Sequence, residues 1–261
     1  MESPAQRDAA TELFPNGAFG WLDQLGVMSA RTVIAHGVWV NDADMEIMAR
    51  TDVTVVRNPG CNIRMRNGIA PLARYLQHGV RVAIGTDNVS LSDDEDLLSE
   101  LRLAGHLARD PDWNGPSPPG SEQLLAMITA NGAVAAQWSP DIGAIEPGKR
   151  ADLAAISLKR TRLPMLDPDM PLMEAFLTRA QGRDVRLTMV DGRILYQDGK
   201  FRGFDLNEIE EAAVQSALGA RRPRDASDHG RTAELRTHLG HHYQAVAAAR
   251  CASSHQSDQS R

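Results

Sequence analysis

Val80-Arg81-Val82-Ala83-Ile84-Gly85-Thr86-Asp87-Asn88 reads as a short buried strand that stops on a glycine and delivers an acidic side chain just beyond its end. A short apolar run without polar alternation is what a parallel strand covered on both faces shows. The same pattern occurs upstream in Thr32-Val33-Ile34-Ala35-His36-Gly37, where the run ends on a histidine. Between the two, Val53-Thr54-Val55-Val56 forms a third run and gives way to the turn-forming Asn58-Pro59-Gly60.

The segments joining these runs carry helical signals. Residues 41–50 place acids first and Met45, Ile47 and Met48 later, and residues 69–77 bring Ile69, Leu72, Ala73 and Leu76 to one face, with Gly79 as a stop. Strand, helix and strand at short intervals predict a parallel sheet with covering helices. Further helices are predicted over 95–109 and 121–137, on either side of the Pro- and Gly-rich stretch 110–120, with Gly132 permitting close packing. Beyond Trp138 the character changes: 151–158 and 187–196 are strand-like, the latter turned about the hairpin dipeptide Asp191-Gly192. Residues 205–218 and 231–250 read as helices joined by a linker, and the polar 253–261 as disordered. The expected organisation is a parallel α/β region over 1–138, a small β domain over 139–204 and a helical tail over 205–261.

With 42% hydrophobic and 24% charged residues, the chain has the composition of a soluble globular protein. Its formal charge of -6 argues against nucleic acid or an anionic membrane as partner, since both are met with clustered Lys and Arg. Small-molecule substrates remain. No apolar run approaches bilayer length, and a cytoplasmic location is expected. Two distant cysteines, Cys61 and Cys251, suggest neither a disulfide framework nor a thiolate metal site.

His36 and Asp87 stand where buried strands end, the position from which parallel α/β folds present catalytic groups. Each alone reads equally well as a core histidine or a helix N-cap aspartate. Together they form an imidazole and carboxylate pair of the kind that binds divalent ions, although a catalytic zinc needs about three protein ligands. The other histidines do not supply them. His78 fits a helix C-terminus, His106 a helix surface, His238, His241 and His242 a polar tail helix, and His229 and His255 linker and tail.

At these residues the chain resembles the metal-dependent amidohydrolase superfamily of cytosine, guanine and S-adenosylhomocysteine deaminases and s-triazine hydrolases. Ile34-Ala35-His36-Gly37-Val38-Trp39 is similar to its strand-six histidine motif, and Ala83-Ile84-Gly85-Thr86-Asp87-Asn88 to its strand-eight aspartate motif. Ile142-Gly143-Ala144-Ile145-Glu146-Pro147-Gly148-Lys149-Arg150-Ala151-Asp152-Leu153 is similar to its return into a small composite β domain. Asn58-Pro59-Gly60-Cys61-Asn62 resembles a substrate-facing loop after strand seven, and Val190-Asp191-Gly192-Arg193 a closing hairpin.

The resemblance implies a partial TIM-like (β/α)8 barrel, about strands six to eight, with the β domain and helical tail appended. It also implies hydrolysis of a non-peptide C–N bond in a cyclic amidine or nucleobase-like ring. Asp87 would ligate one divalent metal, zinc or iron, and accept a proton from the attacking water, while His36 would polarise that water or the developing oxyanion. Glu2, in Glu2-Ser3-Pro4, matches the family glutamate that shuttles a proton to the substrate. Asn58 and Asn62 are candidate substrate contacts, each equally a turn residue of its own loop.

The family's His-x-His pair and strand-five histidine have no counterpart in these residues, so the metal site is expected to be incomplete. The expectation is a C-terminal portion that is unstable and inactive by itself: a shortened copy of a longer enzyme, or a fragment paired with the missing N-terminal half or with itself. The rival reading is a non-catalytic remnant or assembly partner.

Overall fold

The computed structural model describes residues 1–88, 94–109, 115–220, 230–239 and 241. Three short strands, β1 (Val33–Ala35), β2 (Thr54–Arg57) and β3 (Arg81–Ile84), make one parallel sheet in the order β1-β2-β3. Ile34 lies beside Val55 and Val55 beside Val82, so the β-branched side chains expected to be buried share one face. Among the described residues the sheet is open, not a closed barrel.

Helices cover that face because their ends are fixed locally. α1 (Pro4–Leu13) and α2 (Gly17–Gln24), which the sequence reading did not identify, precede β1. In α3 (Asp42–Arg50) the Asn41 side chain accepts the Asp44 N–H, while the Asp44 carboxylate accepts the Asn41 N–H. Asp42 and Asp44 in its first turn and Arg50 in its last complement the helix dipole. After β2 comes α4 (Pro59–Arg64), where only a turn was expected; Pro59 at its first position has no N–H to leave unsatisfied and its φ is already helical. α5 (Leu72–Gln77) starts later than the expected 69–77, because Ala70 precedes Pro71 and is disfavoured from helical geometry. Met45, Met48, Leu72 and Tyr75 from α3 and α5 pack on Val55, Val82 and Ile84. Each such side chain, fully buried, stabilises by roughly 1.5–3 kcal/mol.

α6 (Leu97–Leu107) is capped by Asp96, which accepts the Leu98 and Ser99 N–H groups at 2.9 and 3.3 Å, and contributes Leu101 and Ala104 to the same core. The single helix expected over 121–137 is two, α7 (Ser121–Ile128) and α8 (Ala130–Ala135), broken at Thr129 (φ -124°, ψ -96°). Beyond the break, Asn131 Nδ2 donates to the β3 carbonyl of Val82 at 2.7 Å. Gly132 is not the closely packed glycine. That role falls to Gly143 (φ 96°), where an added Cβ would come within 2.7 Å of Ala133 Cβ.

A second sheet is antiparallel: β4 (Leu153–Ile156), β5 (Val185–Val190), β6 (Arg193–Gln197) and β7 (Lys200–Phe201) lie in chain order. Asp191 (φ 49°) and Gly192 (φ 76°) both adopt left-handed geometry between β5 and β6, as a two-residue hairpin turn requires. α9 (Leu172–Arg179) lies between β4 and β5. Its end is tied to α6, since Arg102 donates to the carbonyls of Leu177 and Ala180, and Asp96 accepts the Gly182 N–H at 2.8 Å.

The chain forms two compact units, Met1–Gly203 and Phe204–Arg261. In the second, α10 (Leu206–Gly219) is capped by Asp205, and residues 230–239 are helical. Most of the expected linker 219–230, the far part of the expected last helix 231–250, the tail 253–261, and His229, His242, Cys251 and His255 lie outside the described residues. No described helix is long and apolar enough to cross a membrane.

Candidate metal and catalytic centre

Where β1 and β3 end, the backbone leaves strand geometry in the same way. His36 has φ 65° and Asp87 φ 66°, left-handed values uncommon for residues other than glycine. The ladder still reaches these ends, because His36 N–H donates to Val56 O and Gly85 N–H to Arg57 O, both at 2.8 Å. The next side chains converge above β2, with His36 Nε2 3.7 Å from Asp87 Oδ2. The turn after His36 needs Gly37 (φ 57°), because an added Cβ would strike the Tyr75 hydroxyl, which donates to Gly37 O at 2.6 Å. Burial pushes the Tyr75 phenol well above its ordinary range.

α4 delivers two more groups. Asn62, 1% exposed, sets its Oδ1 3.0 Å from His36 Nδ1. An amide oxygen can only accept, so Nδ1 is the donor in this bond and Nε2 faces the centre. Cys61 is fully buried beside this cluster. Burial, then the hydrogen bond and charge of Asp87, then the charges of Glu2 and Glu100, push this thiol up to about 12. Glu2 reaches the centre because Met1 O accepts the N–H groups of Val38 and Trp39, both at 3.0 Å, and Asn67 Nδ2 donates to the Glu2 carboxylate. Donor atoms of Glu2, His36 and Cys61 lie within 4.8 Å of one another. Asn58 is buried beside Asp87. Its Nδ2 is 3.4 Å from Asp87 Oδ2 as placed, but turned over it donates to Arg57 O (3.1 Å) and Gly85 O (3.3 Å), the better-satisfied arrangement.

All five residues expected at the site, Glu2, His36, Asn58, Asn62 and Asp87, are thus at one end of the parallel sheet. Cys61 joins them against expectation: two distant cysteines suggest no thiolate site, but the neighbours of Cys61 are an imidazole and a carboxylate, those of His36 and Glu2. Two further buried groups escaped it. Glu100, 7% exposed, accepts the Gly60 N–H at 2.8 Å, and burial raises its carboxyl against that bond. A charged residue on the face of Leu97, Leu101 and Ala104 was a readable signal. Arg57 is 1% exposed with Nε and Nη1 lacking partners, and burial lowers its guanidinium to about 10, opposed by Tyr75. His78 ends α5 and contacts Asp42 at 3.0 Å, while His106 is exposed in the last turn of α6.

A cavity of about 380 Å³ lined by Arg7, Trp39, Asp44 and Arg74 contains none of Glu2, His36, Cys61 or Asp87, so the chemistry is assigned to the polar cluster rather than to that cavity. The imidazole of His36, the carboxylate of Glu2 and the thiol of Cys61, with the Asp87 carboxylate beside the imidazole, are a donor set that fits a divalent ion of the zinc class.

Comparisons with known proteins identify the family. The chain is 35% identical over 202 residues to a 5'-deoxyadenosine deaminase of Methanothermobacter thermautotrophicus, covering 76% of this chain and 46% of that protein. Among solved structures it superposes on an adenosine deaminase of Xanthomonas campestris with bound zinc (TM-score 0.74, 25% identity, 82% of this chain, 48% of the other). It also superposes on the zinc-complexed atrazine chlorohydrolase of Arthrobacter aurescens (TM-score 0.72, 27% identity, 82% and 46%). The chain thus spans about half the length of the relatives it matches. The Amidohydrolase family model matches residues 16–195, more than half of the sequence, and this chain belongs to the amidohydrolase family.

Proposed function

We propose that these residues carry one side of the centre of a metal-dependent hydrolase that replaces a ring-bound amino group with oxygen, on an adenosine derivative or a similar cyclic amidine. The convergence of His36 and Asp87 at 3.7 Å carries the reading. The three parallel strands correspond, in this reading, to the last three of a (β/α)8 barrel, with the remaining strands and metal ligands supplied by the rest of the barrel.

A divalent ion, zinc or iron, supplies Lewis acidity and lowers the pKa of a water toward neutrality; zinc is favoured by the zinc-bound relative. Asp87 takes the proton as water oxygen bonds to the ring carbon. His36, its Nδ1 proton held by Asn62, steadies the charge that develops on that oxygen. Glu2 passes a proton to the ring nitrogen and then to the departing nitrogen, so that ammonia leaves as the carbonyl forms. Asn58 borders the space the ring would occupy, and Asn62 acts through His36 as a positioning residue.

The test is ammonia release from adenosine and 5'-deoxyadenosine by this chain co-expressed with the N-terminal half of a matching deaminase. Turnover is expected in the complemented complex and not in the chain alone, and Asp87→Asn or Glu2→Gln should abolish it. An assembled, metal-loaded complex without turnover overturns the hydrolase reading in favour of an assembly partner or remnant. Turnover by the chain alone overturns the need for a complementary half.

A further inference from the structure

The proposed reaction leaves Cys61 without a task. A buried thiol is ordinarily a small apolar filler, packed among aliphatic side chains. Cys61 is fully buried yet lies outside the hydrophobic cluster formed by Met45, Met48, Val55, Leu72 and Tyr75, and its Sγ instead lies within 4.8 Å of donor atoms of Glu2 and His36. Two features hold it there. Pro59 opens the turn of α4 on which it rides, and Glu100 anchors that turn through the Gly60 N–H at 2.8 Å.

We propose that Cys61 Sγ, His36 Nε2 and a Glu2 carboxylate oxygen together bind a zinc-class divalent ion in this chain. The inference rests on the preceding reading only in taking the centre to be metal-binding. Bond lengths of about 2.0–2.3 Å to oxygen, nitrogen and sulfur place tetrahedral ligands roughly 3.3–3.8 Å apart. The three donor atoms, within 4.8 Å of one another, need to close by about an ångström. The hydrogen bond between His36 Nδ1 and Asn62 fixes the tautomer that leaves Nε2 free to ligate, the outer-shell arrangement metal-bound histidines use. Asn62 Nδ2 is buried without a partner, so the contact with His36 is the polar bond that holds this amide. On binding, the S–H bond breaks and a metal–sulfur bond forms; the proton is released to water. Thiolate and carboxylate then neutralise the two charges of the ion, which suits a buried position. A thiol in the donor set selects zinc or cobalt over magnesium or calcium. With His36 and Glu2 occupied as ligands, the chain binds metal without hydrolysing.

Cobalt(II) alone, titrated into the chelator-treated 261-residue chain, tests this. The expected result is one ion per chain, tetrahedral visible bands and a near-ultraviolet thiolate-to-cobalt charge-transfer band. Cys61→Ser should remove the charge-transfer band and weaken binding at least tenfold, while Cys251→Ser keeps both. A missing band in the unaltered chain, its survival in Cys61→Ser, or its loss in Cys251→Ser overturns the proposal. X-ray absorption of the zinc-loaded unaltered chain gives a second reading that needs no variant. One sulfur at about 2.3 Å supports the site and none overturns it. Neither outcome depends on ammonia release, so this inference and the hydrolase reading fail separately.

Discussion

Arg57 is the side chain whose position is hardest to reconcile with stability alone. It continues the Val53 and Val55 face of β2, where a guanidinium meets Tyr75 and the core, and Nε and Nη1 have no partners. Burying an unpaired charge costs several kcal/mol, and replacing such groups by apolar residues of similar volume often stabilises. Arg57→Met is therefore expected to raise unfolding stability by about 1–3 kcal/mol in a urea titration; a drop of that size would show that the charge meets a partner in solution. At Asn62 the argument runs through geometry rather than charge. Asn62→Leu removes the acceptor at His36 Nδ1, freeing the ring to rotate and to change tautomer. The cobalt affinity of the chain should fall about 10–100-fold, the usual effect of losing such an outer-shell bond. Unchanged affinity would mean that the imidazole is oriented by something other than this amide.

Between elements, the decisive link is the one that α6 makes to α4 through Glu100. Its carboxyl is raised by burial, so the folded state holds the proton more tightly than the unfolded chain does. The contribution of this group to stability is thus fully present below the unfolded carboxyl pKa and is lost as the pH rises through the folded one. Glu100→Gln keeps an acceptor for the Gly60 N–H without the charge. That variant should be more stable than the parent at pH 8, with the difference closing as the pH falls through the carboxylate range. Glu100→Ala leaves the Gly60 N–H buried and unpaired and should cost about 1–3 kcal/mol. Thermal melts of the three proteins at pH 4 and pH 8 check both. The same pair of helices marks what was legible in the residues. The alternation of β1, α3, β2, α5 and β3 was, because β-branched runs and capped amphipathic segments carry their own period. The location of His36 and Asp87 followed from it. α4 was not, since Asn58-Pro59-Gly60 has the composition of a turn and its helical continuation depends on an acceptor 40 residues away. Nor was the break at Thr129, beyond which Asn131 bonds to a carbonyl of β3. Local sequence encodes period and caps; it does not encode which distant carbonyl or carboxylate completes a turn.

For the Met1–Gly203 unit as a whole, the open sheet has consequences that no single residue reveals. Parallel sheets are ordinarily covered on both faces, and here the hydrophobic cluster lies on one of them, while on the other Thr54 and Ala83 are buried but the cover stops short of β1. Ala35 is exposed and Val56 half-buried on the opposite face, and β1 presents an edge on which Val33 is 42% exposed. Trp21, Leu25 and Val27, on α2 and in the turn that leads to β1, add exposed apolar surface. Unpaired strand groups next to exposed apolar side chains are a template for association. The formal charge of -6 opposes self-association at long range, and added salt screens it. The chain alone should therefore scatter light as more than a monomer, bind a hydrophobic dye, and do both more strongly at 1 M salt than at 0.1 M, where the screening length falls from about 10 Å to about 3 Å. Val33→Lys should reduce the association, because a charge on an edge strand resists pairing with a second copy. Co-expression with the N-terminal half of a matching deaminase should suppress both signals by covering the same edge and face. A dye-silent monomer at either salt concentration would mean that the unit closes its own surface, and the case for a complementary half would lose its physical basis.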